Sequence, residues 1–243
     1  MKRWWPTTAE NDTKRGPDDA TRERIRVHDY VELRTDPHSA HQLVLRYCAG
    51  ARTVLDVGCT AGSLGRQLAE QGAMVDGIEN DETAARQARR WYRRVLVGDV
   101  ESMPLDLERG SYAAVVCADI IEHLRDPCAL LLRLRPLLTP DGRLVVSTPN
   151  IANWSMRLLH LAGRWDYKDR GIMDRTHLRF FTRRTLAALL AEAGYRIITH
   201  DVTVPLPAMR REPFSRWAHW LGRRWQNLLA YQFVVVATPR GQG

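Results

Sequence analysis

A glycine-bearing turn carries the first recognisable chemistry: Asp56-Val57-Gly58-Cys59-Thr60-Ala61-Gly62-Ser63-Leu64-Gly65 follows an apolar run and opens a helical pattern. Glycines at a strand-to-helix turn let the backbone approach a ligand closely, and the N–H groups that open the helix favour an anionic group. Glu79 ends a second apolar run 23 residues after Asp56. An acidic side chain there suits a ribose diol. Together these features place an adenosine-containing ligand at the carboxyl ends of the strands. The dinucleotide fingerprint would need glycine at position 60, where Thr60 stands, so a nicotinamide cofactor is disfavoured. A second polar group, Asp119-Ile120-Ile121-Glu122-His123, follows the fourth apolar run, and His177 lies further on. Oxygen and nitrogen donors in this pattern could hold a divalent metal. Histidine also titrates near neutral pH, as a general base must.

The elements that position these residues alternate in type. Residues 53–57, 73–79, 95–97, 112–117 and 143–147 read as short apolar strands, and 63–71, 82–92 and 126–138 as helices. Residues 38–48 form a lead-in helix with Leu43, Val44 and Tyr47 at helical spacing. The run at 112–117 is continuously apolar, as in a strand buried on both faces. Such alternation predicts an α/β fold, a parallel sheet with helices on both faces. After a break at 149–181, a helix over 182–193 has Thr182 as N-cap and Gly194 as its stop. Strands follow at 195–202 and 231–238. Residues 1–36 read as a polar, charge-balanced arm, with helix possible from Thr21, ahead of a domain spanning 37–243.

Composition bounds the function. The chain has 243 residues, 44% hydrophobic and 26% charged, which excludes wholesale disorder. No window reaches the roughly 20 uncharged apolar residues of a membrane-spanning helix. The opening Met1-Lys2-Arg3-Trp4-Trp5-Pro6 runs into polar sequence, against a secretory leader. Cys48, Cys59, Cys117 and Cys128 lack C-x-x-C spacing, so a cytoplasmic setting is expected and a disulfide scaffold is not. The net charge of +8 gathers in 151–185 and 206–243, each with an excess of five basic groups. That distribution points to an anionic substrate or surface.

Six ordered blocks resemble the class I S-adenosylmethionine-dependent methyltransferases over roughly residues 40–240. They are Val54-Leu55-Asp56-Val57-Gly58-Cys59-Thr60-Ala61-Gly62, Gly77-Ile78-Glu79-Asn80, Gly98-Asp99-Val100, Asp119-Ile120-Ile121-Glu122-His123-Leu124-Arg125-Asp126-Pro127, Leu138-Thr139-Pro140-Asp141-Gly142-Arg143-Leu144 and His177-Leu178-Arg179-Phe180-Phe181-Thr182. Thr60 departs from the usual glycine. The resemblance implies a Rossmann-like, doubly wound, seven-stranded sheet, mostly parallel with an antiparallel last strand. Substrate-side insertions would occupy 149–181 and 203–230. S-adenosylmethionine would be held by Asp56, Gly58, Gly62, Glu79, Asn80, Asp99, Val100 and Asp119, with Asp99 near the adenine and Asp119 beside the methionine moiety.

A sulfonium methyl is already activated, so catalysis rests mainly on placing a nucleophile in line with it. An oxygen or nitrogen nucleophile also needs a base, and His123 and His177 are the candidates. The D-x-x-E-H run resembles that of small-RNA 3′-terminal 2′-O-methyltransferases, and its Glu-His pair that of quinone O-methyltransferases. The pair is widespread in the broad branch without a known metal, and no metal ligand is assigned. The expected reaction is methylation, O-methylation first, of a small or lipid-linked, anionic acceptor. Two alternatives stand: an RNA methyltransferase, although no RNA-binding module is recognisable, and a non-catalytic S-adenosylmethionine-binding module. In 210–229, Phe214, Trp217, Leu221, Trp225 and Leu228 recur at three- and four-residue steps among arginines. Such a helix packs its aromatic stripe on the domain or a second subunit, or lies on an anionic membrane surface.

Overall fold

The computed structural model describes residues 37–204 and 214–241, with the side chains of 214 and 215 outside the description. The proposed arm at 1–36 and residues 205–213 lie outside it. Seven strands form one sheet: β1 (Thr53–Val57), β2 (Met74–Glu79), β3 (Arg94–Val97), β4 (Tyr112–Ala118), β5 (Leu138–Pro149), β6 (Tyr195–Thr203) and β7 (Gln232–Pro239). The spatial order is β3-β2-β1-β4-β5-β7-β6. β7 runs antiparallel to β5 and β6, and the other neighbours pair in parallel. The expected doubly wound architecture is therefore present.

Period-two alternation sorts the strand residues between two faces. Leu55, Val57, Val115, Cys117, Leu144 and Val146 bury one face against α4 (Pro127–Leu134) and α6 (Arg183–Glu192). Val54, Ala114, Val116 and Val145 bury the other against α1 (Ala40–Cys48) and α2 (Ser63–Glu70). α3 (Glu82–Ala88) begins where the Asp81 carboxylate accepts from the N–H groups of Thr83 (2.6 Å) and Ala84 (3.0 Å). Thr182 caps α6 in a reciprocal pair with Thr185, and Gly194 beyond its end has φ +79°.

Three boundaries differ from the sequence expectation. The helix expected over 82–92 ends at Ala88, and Tyr92 falls in the turn that follows. The helix expected to reach 138 ends at Leu134, because Pro136 lacks the N–H that a helix interior needs. A 3₁₀ turn, Arg135–Leu137, follows it. β5 then starts at Leu138, and a register shift opposite β4 absorbs the Pro140-Asp141-Gly142 segment.

Residues 149–181 leave the sheet, form α5 (Trp154–Leu161), and return through the Asn150–Phe181 bridge. α7 (Phe214–Arg224) and α8 (Gln226–Leu229) precede β7. The packed face of α7 is not the aromatic stripe that the spacing suggested. Ala218 and His219 are buried, and a Cβ at Gly222 would lie 2.3 Å from Val204 Cγ2. Small residues let α7 lie close to β6, which turns Trp217 and Trp220 outward. Asp201 on β6 anchors the arrangement, accepting from Tyr47 Oη of α1 and pairing with His219 Nε2, each at 2.6 Å.

Candidate active site

The carboxyl ends of β1, β2 and β4, parallel neighbours, lie along one edge of the sheet, and the turn after β1 is fastened there. The Gly58 and Cys59 N–H groups donate to the Ile78 carbonyl at 2.8 and 3.0 Å. Gly58 has φ +77°, and a Cβ on it would meet Ile120 Cδ1 at 2.7 Å. Gly62 caps α2 at φ +89° without a side-chain hydrogen bond; the Gly65 N–H donates to Tyr92 Oη, and the Ser63 and Leu64 N–H groups opening the helix favour an anionic group. Glu79 is buried, and its carboxylate accepts from the N–H groups of Thr60 (2.8 Å), Asn80 (2.9 Å) and Asp81 (2.9 Å). Oε1 takes the Asn80 and Asp81 bonds, and Oε2, which takes only that of Thr60, keeps lone-pair capacity for a diol. Asn80 is exposed. Asp99 caps the turn after β3, accepting from Glu101 N–H (2.9 Å) and Ser102 Oγ (3.2 Å), while Val100 points into the core.

Thr60 holds φ +46°, a left-handed conformation unfavourable for a β-branched residue. Its bond to Glu79 runs through the backbone and survives any side chain there. Thr60→Gly is therefore expected to raise stability by about 0.5–1 kcal/mol, strain relief outweighing glycine's extra unfolded-state entropy. Denaturant unfolding measures this, and a lower midpoint would contradict it.

The second group follows β4. Asp119 turns the chain at φ +52° and accepts from Ser147 Oγ at 2.9 Å and from Gln232 Nε2 at 3.0 Å. Burial raises its carboxyl above the ordinary value, and these hydrogen bonds oppose the shift. Glu122 is 1% exposed; Thr148 Oγ1 donates to one oxygen at 3.1 Å, and the other has no partner among the described residues. Burial and the nearby Asp119 charge push Glu122 well above the ordinary carboxylate range. The Glu122 carbonyl accepts from Leu178 and Arg179 N–H at 2.8 and 2.9 Å, which docks the end of the 149–181 excursion on this turn.

That docking sets His177 against His123, with ring centroids 4.8 Å apart. His123 Nδ1 faces the Thr176 carbonyl at 3.2 Å, and His177 Nδ1 faces the Ile172 carbonyl at 3.1 Å. A carbonyl only accepts, so both Nδ1 atoms carry the proton and both Nε2 atoms present a lone pair. Burial lowers the His177 pKa and keeps that ring neutral. Glu122, His123 and His177 each bring a donor atom within 4.8 Å of the others. One carboxylate and two imidazoles could hold a divalent cation.

The methyltransferase-domain pattern matches residues 30–200. The chain is 32% identical over 214 residues to a ubiquinone biosynthesis O-methyltransferase of Xanthomonas axonopodis, spanning 84% of this chain and 80% of that one. This chain belongs to the methyltransferase-domain family. A ubiquinone biosynthesis O-methyltransferase of Neisseria meningitidis is 29% identical over 201 residues, covering 79% and 76% of the two chains. A Thermotoga maritima structure described as a possible histamine N-methyltransferase shares the fold at TM-score 0.64 and 19% identity, covering 91% and 97%. The Burkholderia thailandensis 1,6-didemethyltoxoflavin-N1-methyltransferase, solved with S-adenosylhomocysteine, matches at TM-score 0.55 and 20% identity, covering 96% and 94%.

This methyltransferase uses S-adenosylmethionine, and the cradle fits it: the Ser63 and Leu64 N–H groups for an anionic end and a buried acidic side chain for a diol. Gly58, Gly62, Glu79, Asn80 and Asp119 gather along the β1, β2 and β4 ends. Asp56 lies beneath the turn, 2% exposed. Sequence reading passed over the residues that brace the second group: Ser147, Thr148 and Gln232 at strand ends, and Asn150 and Asn153. Asn150 Nδ2 and Asn153 Nδ2 both donate to the Ala230 carbonyl, at 2.8 and 2.9 Å, joining the base of α5 to the end of α8. The signal available was a polar Ser147-Thr148-Pro149-Asn150 ending on an apolar strand.

Proposed function

We propose that this enzyme methylates a hydroxyl group of a small or lipid-linked, anionic acceptor, with His123 as base. The observation that carries the reading is the paired Nε2 lone pairs of His123 and His177, fixed by backbone carbonyls at the turn after β4. When bound, S-adenosylmethionine supplies a methyl group already activated on sulfur. His123, the less buried of the two histidines, accepts the hydroxyl proton on Nε2. His177 packs edge-on against it and, being neutral, adds no charge that would resist that proton. The Glu122 carboxyl, whose charged form burial disfavours, brings an oxygen within 4.8 Å of both imidazoles. The O-methyltransferase relatives in ubiquinone biosynthesis support a hydroxyl on a ring carrying a lipid tail.

A lipid-linked acceptor calls for a surface that meets a bilayer, and the 210–229 segment supports one. The part of it that the structure describes leaves Trp217, Trp220 and Trp225 more than half exposed. Next to α8, α5 exposes Trp154, Leu158 and Leu161. Arg157, Arg216, Arg223 and Arg224 are exposed among them. Exposed tryptophans interleaved with arginines suit the headgroup region of an anionic membrane. No helix among the described residues is long and apolar enough to cross one.

The test supplies a dihydroxybenzene acceptor with and without a prenyl tail, in neutral and anionic vesicles. The expected product is an O-methyl ether, formed at lower KM from the tailed acceptor. The triple variant Trp217→Ala, Trp220→Ala, Trp225→Ala is expected to lose flotation with anionic vesicles at unchanged affinity for S-adenosylmethionine. Exclusive N- or C-methylation of other acceptors overturns the hydroxyl assignment. Absence of wild-type flotation removes the membrane contact and leaves a freely diffusing acceptor.

A further inference from the structure

The glycine turn encloses a side chain that the reaction as described leaves unused. Tyr92 is 5% exposed, and its ring fills a slot walled by three glycines. A Cβ at Gly65 would lie 2.1 Å from Tyr92 Cζ, one at Gly62 3.1 Å from Cε2, and one at Gly77 3.0 Å from Cδ1. Gly62 and Gly65 belong to the start of α2, while Gly77 sits in β2 opposite Asp56 and two residues before Glu79. The slot therefore lies where the cofactor turn, α2 and β2 meet. At its end the Tyr92 hydroxyl accepts from Gly65 N–H at 3.0 Å and donates to Asp56 Oδ2 at 2.5 Å. Tyr92 is the one hydrogen-bond donor to the Asp56 carboxylate among the described residues.

We propose that Tyr92 is a positioning residue for S-adenosylmethionine, wedging the start of α2 against β1 and β2 and tying the turn to Asp56. A Tyr92 that shifts must move Gly62 and Gly65 with it, since their missing side chains are the room it occupies. The wedge thus sets where the Ser63 and Leu64 N–H groups of α2 stand relative to Glu79. Asp56 adds a charge beneath the site. Burial pushes its carboxyl up to about 6, the Glu79 charge adds to the rise, and the Tyr92 hydrogen bond opposes it. The other groups facing Asp56 are Cys48 of α1, Cys59 of the turn and Cys117 of β4, whose thiols burial holds neutral. S-adenosylmethionine carries a sulfonium cation, so ionised Asp56 favours binding. Affinity then falls as the pH drops through about 6, and losing the Tyr92 hydroxyl moves that midpoint upward.

The experiment is calorimetric binding of S-adenosylmethionine and S-adenosylhomocysteine to the full chain between pH 5.5 and 8. Tyr92→Phe keeps the ring and removes the hydroxyl. Its S-adenosylmethionine affinity at neutral pH is expected to fall roughly tenfold, as for a lost hydrogen bond to a charged group. The acid midpoint should move up, and S-adenosylhomocysteine, which has no sulfonium, should show the weaker pH dependence. Should Tyr92→Phe fail to fold, Asp56→Asn answers the same question by flattening the S-adenosylmethionine profile. A Tyr92→Phe protein that melts earlier yet binds with wild-type affinity and pH profile overturns the proposal, leaving Tyr92 as core filling. So does an Asp56→Asn protein whose profile is unchanged. Binding is read without an acceptor, so either failure leaves the O-methylation reading untouched.

Discussion

Replacing His123 with alanine is expected to lower turnover by roughly 10²–10⁴-fold, the range for a positioned general base, while affinity for S-adenosylmethionine stays within about twofold. The expectation follows from geometry. The Thr176 carbonyl fixes the Nδ1 proton and leaves Nε2 as the basic atom, and the ring's hydrogen-bond and ring partners are Thr176 and His177. His177→Ala should cost less, because that ring is buried and acts by packing against His123 and keeping the pocket neutral. The pH profile carries a sign. Burial disfavours the His177 imidazolium, so that ring stays neutral until the pH falls below the ordinary histidine value of about 6.5. Turnover should therefore hold through neutrality and fail on the acid side. A chelator should leave wild-type turnover intact. Loss of activity with EDTA, restored by a divalent cation, would reassign Glu122, His123 and His177 as metal ligands. Full activity in both histidine variants would remove the base altogether.

Glu79→Ala is expected to weaken S-adenosylmethionine binding by about 1–3 kcal/mol, roughly five- to 150-fold, through lost hydrogen bonds to a buried acidic group. Two effects combine. The diol loses its acceptor, and the N–H groups of Thr60, Asn80 and Asp81 lose theirs, which loosens the turn that shapes the cradle. Glu79→Gln retains one acceptor oxygen and should fall between the two. The KM for the acceptor should not move. Calorimetry reads the effect directly, and an unchanged affinity in Glu79→Ala would contradict the ribose assignment.

What the sequence disclosed was local. The turn that brings Asp56, Gly58, Gly62 and Glu79 near one another is legible because a strand, a glycine turn, a helix and a second strand follow in close succession. The seven strands are legible because burial on both sheet faces demands continuous apolar runs such as 112–117. What it hid was the meeting of distant segments. Gln232 reaches Asp119 from the last strand, and His177 reaches His123 only because Leu178 and Arg179 dock on the Glu122 carbonyl. Neither contact leaves a periodic signature. Tyr92 looked like the end of a helix, although three glycines far apart in sequence make room for its ring. The 210–229 segment misled in the opposite direction. Large aromatics at helical spacing resemble a core face, yet the helix approaches β6 through Ala218, His219 and Gly222.

The proposed reaction is methylation of a hydroxyl on a small or lipid-linked acceptor, with Glu79 holding the cofactor and the His123–His177 pair taking the proton. The most direct measurement incubates methyl-labelled S-adenosylmethionine and the full chain with fractionated extract from its own source, beside the Glu79→Ala and His123→Ala variants. The account predicts label in a lipid or small-molecule fraction as an O-methyl ether, strongly reduced in both variants. Label in RNA, or label that persists undiminished without His123, would contradict it.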